Sequence, residues 1–242
     1  MQARYFGTRA LALAIVMAAT LTACSGVDKE AEARKLTPAE KLVVAKAKAD
    51  AATSLHLTLR SSGIPATANG VLAADGSGTH APAFKGTLDA RIEGFEAKVE
   101  VVAIDSLLYL KLPFTTEFAP TDPKKYNAPN PALLFASEGG ITSLLTATTN
   151  PVEGKQTRAG ADVLTTITGK LPGASVVKLL NFGDAARTFD VTYGITDPGG
   201  ELRTVTLVGP FFQGATATAT PPTSTYTLTL DKYGAPVEIS KP

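Results

Sequence analysis

The chain has 242 residues, 44% hydrophobic and 19% charged, and its 23 Lys and Arg residues nearly balance 22 Asp and Glu residues. A near-neutral chain without a cluster of basic residues among aromatic ones has no electrostatic footprint for nucleic acid, so we exclude a nucleic-acid partner. The single cysteine excludes an internal disulfide, and stability must therefore come from the core.

The first 24 residues have the layout of an export signal. Arg4 and Arg9 precede an apolar run over residues 10–19, which is typical of a secretory leader. Leu21-Thr22-Ala23-Cys24 then resembles the lipobox of bacterial lipoproteins. We predict cleavage after residue 23, acylation of the Cys24 thiol, and attachment to the extracytoplasmic face of the cell membrane, with a partly secreted pool as a second form.

Two other interpretations of this segment stay open. Cys24 could be a free thiol behind an ordinary signal peptide, or the apolar run could persist as a membrane helix, although a span needs about 18–20 apolar residues. Residues 25–36 are small and charged, which is typical of a spacer. The predicted organisation is a signal peptide over 1–23, a lipidated N-terminus and tether over 24–36, and a single domain over 37–242.

The first element of the domain is a helix. Thr37-Pro38-Ala39-Glu40 is a capping box with proline at the first helical position. Apolar residues then recur at helical spacing as far as Ala52, which predicts an amphipathic helix that ends near Thr53.

From Leu55 onward the apolar period changes to two, which predicts strands with one buried face. A weaker strand and a glycine-rich turn over residues 76–78 come next, and Gly94 marks a hairpin turn. Short connections between consecutive strands predict an antiparallel sheet with one face to solvent. The alternating apolar residues of the clearest strands are Leu55, Leu57, Leu59, Leu88, Ala90, Ile92, Ala97, Val99, Val101, Ala103, Leu108, Leu110 and Leu112.

The second half of the chain mixes helices with strands. Residues 113–131 contain five prolines and predict a long surface connection, and residues 132–136 and 141–147 predict two short helices. A strand then runs to Leu171, a helix covers residues 174–180, and later strands begin at Phe189, Val205 and Tyr226. Residues 213–224 are low in complexity. The sum is about ten strands in one antiparallel sheet, with four short helices packed on its apolar face.

Motifs for catalysis are lacking. Of the two histidines, His56 lies on the polar side of a strand and His80 in a Gly/Pro loop, and the Asp and Glu residues alternate with apolar ones along strands. The sequence has no HExxH, no G-x-S-x-G and no P-loop. We therefore predict that the protein is not an enzyme and holds neither a metal nor a cofactor.

Several short motifs follow one another along the mature chain. They are Ser54-Leu55-His56, Gly63-Ile64-Pro65, Asp105 with Leu108-Tyr109, Asp122-Pro123, Gly140-Ile141, Leu144-Leu145, Thr165-Thr166-Ile167-Thr168-Gly169 with Leu171-Pro172, Leu228-Thr229-Leu230 and Tyr233-Gly234-Ala235-Pro236-Val237. Their order and spacing, together with the lipobox, resemble the LppX and LprA/LprF/LprG family of actinobacterial envelope lipoproteins.

The resemblance implies an α+β fold. This is a curved antiparallel half-barrel sheet with short helices on its concave face around an apolar cavity, similar to carriers of the LolA and LolB type. It also implies that the domain binds a di- or triacylated lipid or glycolipid and carries it across the cell envelope, with an envelope lipid exporter as a candidate partner. A structural or signalling lipoprotein with a filled core is the alternative.

Placing the apolar sheet face on that cavity gives a predicted lining. It comprises strand residues and two residues of the second short helix: Leu88, Ala90, Ile92, Val99, Val101, Leu108, Leu144 and Leu145.

Overall fold

The computed structural model describes residues 34–123, 128–213 and 220–242. The predicted signal peptide, the lipidation site Cys24 and nearly all of the predicted tether lie outside these residues. Residues 36–242 belong to one compact unit. This unit contains every residue of the hydrophobic core, so it has the material to fold without the segment that precedes it.

The first element is helix α1, Pro38–Ala51, and it begins where the capping box predicted. The Glu40 N–H donates to Thr37 Oγ1 at 3.3 Å, and the Thr37 N–H donates to the Glu40 carboxylate at 2.8 Å. Leu42, Ala45 and Ala49 form its buried face.

We expect Thr37→Ala to lower the free energy of unfolding by about 0.5–2 kcal/mol, because it removes the hydroxyl oxygen that accepts the hydrogen bond from the Glu40 N–H. Thr37→Ser keeps the hydroxyl and should stay near the parent value. Urea unfolding followed by circular dichroism measures the difference, and equal stability of the two variants would show that the cap contributes nothing.

In the described part of the chain, eleven strands form one antiparallel sheet in the order β6-β5-β4-β3-β2-β1-β11-β10-β9-β8-β7. The first and last strands of that order do not pair with each other, so the sheet is open. The strands are β1 (Ser54–Ser62), β2 (Gly70–Thr79), β3 (Ala83–Ile92), β4 (Phe95–Ile104), β5 (Leu107–Lys111), β6 (Ala119–Thr121), β7 (Thr149–Ala159), β8 (Asp162–Pro172), β9 (Thr188–Thr196), β10 (Leu202–Gly209) and β11 (Ser224–Asp231).

One face of the sheet carries the core. Helix α1, a 3-10 helix at Pro131–Phe135, α2 (Ser143–Ala147) and α3 (Gly173–Leu180) pack with the apolar residues of the strands. The other face carries threonines and charged residues such as Thr58, Asp89 and Lys98. The predicted fold class is confirmed: the fold is α+β, an open antiparallel half-barrel with short helices on its concave face.

The predicted turn at residues 76–78 is wrong, because these glycines lie inside β2. A Cβ on Gly78 would lie 2.4 Å from the Phe135 ring, and one on Gly76 would lie 2.5 Å from the Phe84 ring. The glycines therefore admit two stacked rings, 5.8 Å apart, close to the sheet. The turn between β2 and β3 comes later, at residues 80–82.

Other predicted boundaries also differ from the structure. Strand β7 was not predicted, since it is an edge strand whose residues are mostly polar, are exposed along both faces and show no alternation. Short β6 lies within the proline-rich connection, where the missing amide of Pro120 is tolerated at a sheet edge. The predicted helix over residues 132–136 is a 3-10 helix, and α2 is shorter than its predicted 141–147.

Candidate functional site

A cavity of about 550 Å³ opens on the concave face of the sheet, beside the start of the 3-10 helix. The 3-10 helix contacts β2, β3 and β4. It leaves free the part of these strands that leads to the hairpin turn at Gly94. Apolar side chains of β3, β4 and β5 line the floor: Leu88, Ala90, Ile92, Val99, Leu108 and Leu110.

The facing wall is aromatic. Phe182 follows α3, and Phe211 and Phe212 follow β10, so all three come from connections rather than from strands. Their rings pack together, with centroids 5.8 Å apart for Phe182 and Phe211 and 6.2 Å apart for Phe182 and Phe212. Asn181 has φ of +63°, the left-handed cap of α3, and this turn carries the chain over the cavity. Rigid rings and aliphatic side chains thus enclose the space.

Polar groups of the lining lie near the chain connections. They belong to Asn69, Arg91, Asn181 and Gln213. The Arg91 guanidinium donates to the Glu96 carboxylate at 2.6 Å and to the Pro65 carbonyl at 3.3 Å, so its charge is neutralised locally. The arrangement suits a ligand with a large apolar part and a small polar one.

One polar atom behind the aromatic wall lacks a partner. The Tyr226 hydroxyl is buried and makes no hydrogen bond within the described residues. Its ring packs edge-on against Phe211 at 4.7 Å. Burial raises the pKa of Tyr226 to about 12, because the phenolate would lose its solvation, and the side chain is therefore neutral at physiological pH.

The structure divides the eight predicted lining residues into two groups. Leu88, Ala90, Ile92, Val99 and Leu108 lie on the cavity wall. Val101, Leu144 and Leu145 do not line this cavity and lie instead in the hydrophobic core, each with 1% of its surface exposed. Val101 shares the concave face with Val99, but its strand β4 also contacts the 3-10 helix. Leu144 and Leu145 belong to α2, which packs on α1. Shared strand periodicity therefore does not distinguish cavity from core.

Sequence reasoning missed the aromatic wall. Phe182 and the Phe211-Phe212 pair stand outside any helical or strand periodicity, so no pattern assigned them to a face. Composition alone could have indicated this wall. Two adjacent phenylalanines stand at the start of a low-complexity connection, and such side chains need cover from water.

The two histidines have structural partners. His80 contacts the carbonyl oxygens of Phe135 at 2.5 Å and Ala49 at 2.8 Å, and it links α1 to the 3-10 helix. His56 lies on the convex face, with its ring nitrogens 2.6 Å from Asp231 and 3.2 Å from Asp75. Among the described residues, no cluster of His, Cys, Asp and Glu has the geometry of a metal site. Within the same residues, no helix combines the length and the hydropathy needed to cross a bilayer.

Comparisons with known proteins agree with this fold. The model of the LppX_LprAFG lipoprotein family matches residues 37–239. The crystal structure of LprF from Mycobacterium bovis is similar at a TM-score of 0.67 and 14% identity, over 85% of this chain and 96% of that one. That of the Mycobacterium tuberculosis lipoprotein LppX is similar at 0.60 and 20% identity, over 84% and 98%.

No curated protein matches this sequence. The two structural similarities, at identities under 25%, show the fold alone, whereas the family match extends from the first residue of the capping box nearly to the C-terminus. The chain therefore belongs to the LppX_LprAFG family of lipoproteins.

Proposed function

We propose that this protein is a membrane-anchored lipoprotein that binds an acylated lipid or glycolipid in the cavity and carries it across the cell envelope. The apolar cavity of about 550 Å³ is the observation that carries the proposal, and its volume lies within the usual range for ligand sites, about 300–1,000 Å³. A lipid exporter of the envelope is the partner that would supply the cargo.

Transfer energetics favour such a carrier. Each methylene exposed to water costs about 0.8 kcal/mol, so a lipid with long chains leaves a membrane very slowly without help. Leucine, valine and phenylalanine side chains around the cavity replace the membrane interior as the environment of those chains. The polar groups near the connections can remain with the headgroup.

The test is a direct search for bound lipid. The chain from residue 25 to 242 contains the whole compact unit and lacks Cys24, so any lipid it holds is non-covalent. After expression in a bacterium of the same envelope type, native mass spectrometry should detect a complex, and extraction should release an acylated lipid. A preparation that is folded and lipid-free, even after exposure to extracted envelope lipids, would favour the filled-core alternative.

A second prediction concerns the anchor. Cys24→Ala removes the only thiol, so we expect a folded chain that carries no acyl group and is found either uncleaved or outside the membrane fraction. Ser25→Ala, one residue further, keeps the thiol and should remain acylated. Membrane fractionation with intact-mass measurement separates the two, and acyl groups on the Cys24→Ala chain would contradict the lipobox interpretation.

A further inference from the structure

Two exposed phenylalanines stand at the end of the half-barrel where the cavity opens. Phe95 is 78% exposed and directly follows the β3–β4 turn, paired with Ile92, which lines the cavity. Phe114 is fully exposed, two residues beyond the lining residue Leu112, which is itself 48% exposed. We call Phe95 and Phe114 the rim pair.

Folding does not explain the rim pair. Phe95 has the same strand parity as Ala97 and Val99, so its side chain points toward the concave side, yet no described residue covers the ring, which is 78% exposed. Phe114 adopts φ of +69°, a region that a bulky side chain seldom occupies. A strained backbone that holds a large apolar ring in water does not stabilise the fold. Its presence therefore points to a role in contact with something outside the molecule.

We propose that the rim pair inserts into the surface of a lipid bilayer and places the cavity mouth against the membrane. The proposal rests on the proposed function, because it gives the cargo a route between bilayer and cavity that avoids water. Phenylalanine side chains bury readily at the boundary between headgroups and acyl chains.

The size and charge of this surface favour a membrane over a second copy of the chain. Two aromatic side chains bury roughly 300–500 Å² together, well below the approximately 800 Å² per partner of a stable protein interface. Near the turn, Arg91 and Glu96 form a salt bridge at 2.6 Å, and with one acidic residue, Glu93, and one basic residue, Lys98, these four side chains carry no net charge. Insertion should therefore depend on apolar contact and little on ionic strength or anionic lipid.

The hairpin is built to present Phe95. Glu93 and Gly94, with φ of +51° and +83°, form a two-residue turn in which both central residues have positive φ. Such a turn matches the twist of the flanking strands and holds them in fixed register. The ring position is thus determined by the sheet rather than by a loose loop.

The test uses the chain from residue 25 to 242 with phosphatidylcholine vesicles, so that no acyl anchor contributes. Phe95→Thr keeps a β-forming residue, and Phe114→Asn keeps one that tolerates positive φ. Each should weaken partitioning to vesicles about tenfold, whether or not phosphatidylglycerol or added salt is present. Leu107→Thr is the matched control: Leu107 is 53% exposed, but it begins β5 and pairs with Ile104 at the far end of β4, about 30 Å from Phe95, so its replacement should change nothing.

Lipid occupancy, measured separately by native mass spectrometry, keeps the two proposals apart. Reduced vesicle partitioning with unchanged occupancy supports the membrane contact. Unchanged partitioning in both variants, or a parent chain that does not bind vesicles, overturns it while leaving lipid binding intact. A dimer in sedimentation that either rim substitution dissolves also overturns it, in favour of a second copy. A lipid-free parent that still needs the rim pair for vesicle binding supports the contact and overturns lipid carriage.

Discussion

Leu88→Trp is expected to remove bound lipid and to leave the delipidated protein nearly as stable as the parent. Leu88 lines the cavity and is only partly buried, so an indole ring can extend into open space rather than into packed atoms. It would take up volume that an acyl chain needs. Native mass spectrometry measures the occupancy and thermal unfolding measures the stability. The comparison is made on delipidated protein, because bound lipid stabilises the parent by mass action.

Leu145→Trp is the matched control. Leu145 is also a leucine from the predicted lining, but it is 1% exposed and packed in the core. Overpacking there should cost about 1–3 kcal/mol, which corresponds to a loss of several degrees in Tm for a domain of this size. An equal fall in Tm for both variants, with no lipid in the parent, would make Leu88 an ordinary core residue and would remove the basis for a carrier.

Phe135→Ala should produce the largest loss of stability, about 3–5 kcal/mol in the free energy of unfolding. Phe135 is 3% exposed, stacks on Phe84 and fills the space above Gly78. Truncation leaves a void that strands cannot close, since their backbone bonds fix the sheet. Leu133 lies in the same 3-10 helix and is 49% exposed, so Leu133→Ala should change stability by less than about 0.5 kcal/mol.

A double substitution sharpens this test. Gly78→Ala alone should destabilise the fold, because its Cβ would lie 2.4 Å from the Phe135 ring. In the Phe135→Ala background the ring is gone, and the added methyl group should cost much less or fill part of the void. Urea unfolding of the four chains gives the coupling. Additive effects would show that Gly78 is not required by the ring.

Sequence periodicity was sufficient for the faces of the clearly alternating strands but not for the site. The alternation around Leu88 placed its side chain on the concave face, where the structure has it. The same alternation placed Val101 there, yet Val101 belongs to the core, because its strand β4 contacts the 3-10 helix, which lies 30 to 34 residues further along the chain. The filled and open parts of the concave face therefore depend on tertiary contacts between distant segments, which a local period does not contain.

The aromatic wall also could not be predicted from a local sequence period. Phe182 and Phe211 belong to connections, where the backbone follows no repeating pattern, and their neighbourhood is set by the ends of α3 and β10. The glycine-rich part of β2 gave a misleading signal. Gly76 and Gly78 are typical turn residues, but here their lack of a side chain serves ring packing inside a strand.

The open half-barrel leaves β7 as an exposed edge, and its sequence opposes aggregation. A bare strand edge presents unpaired backbone groups with which the edge of another molecule can pair. Strand β7 carries Pro151, which donates no hydrogen bond, and register shifts interrupt it on both sides of Val152-Glu153. Lys155 and Arg158 add charge further along. This edge therefore does not present a continuous row of backbone groups with which another flat strand could pair. Crowded copies of the protein can remain separate.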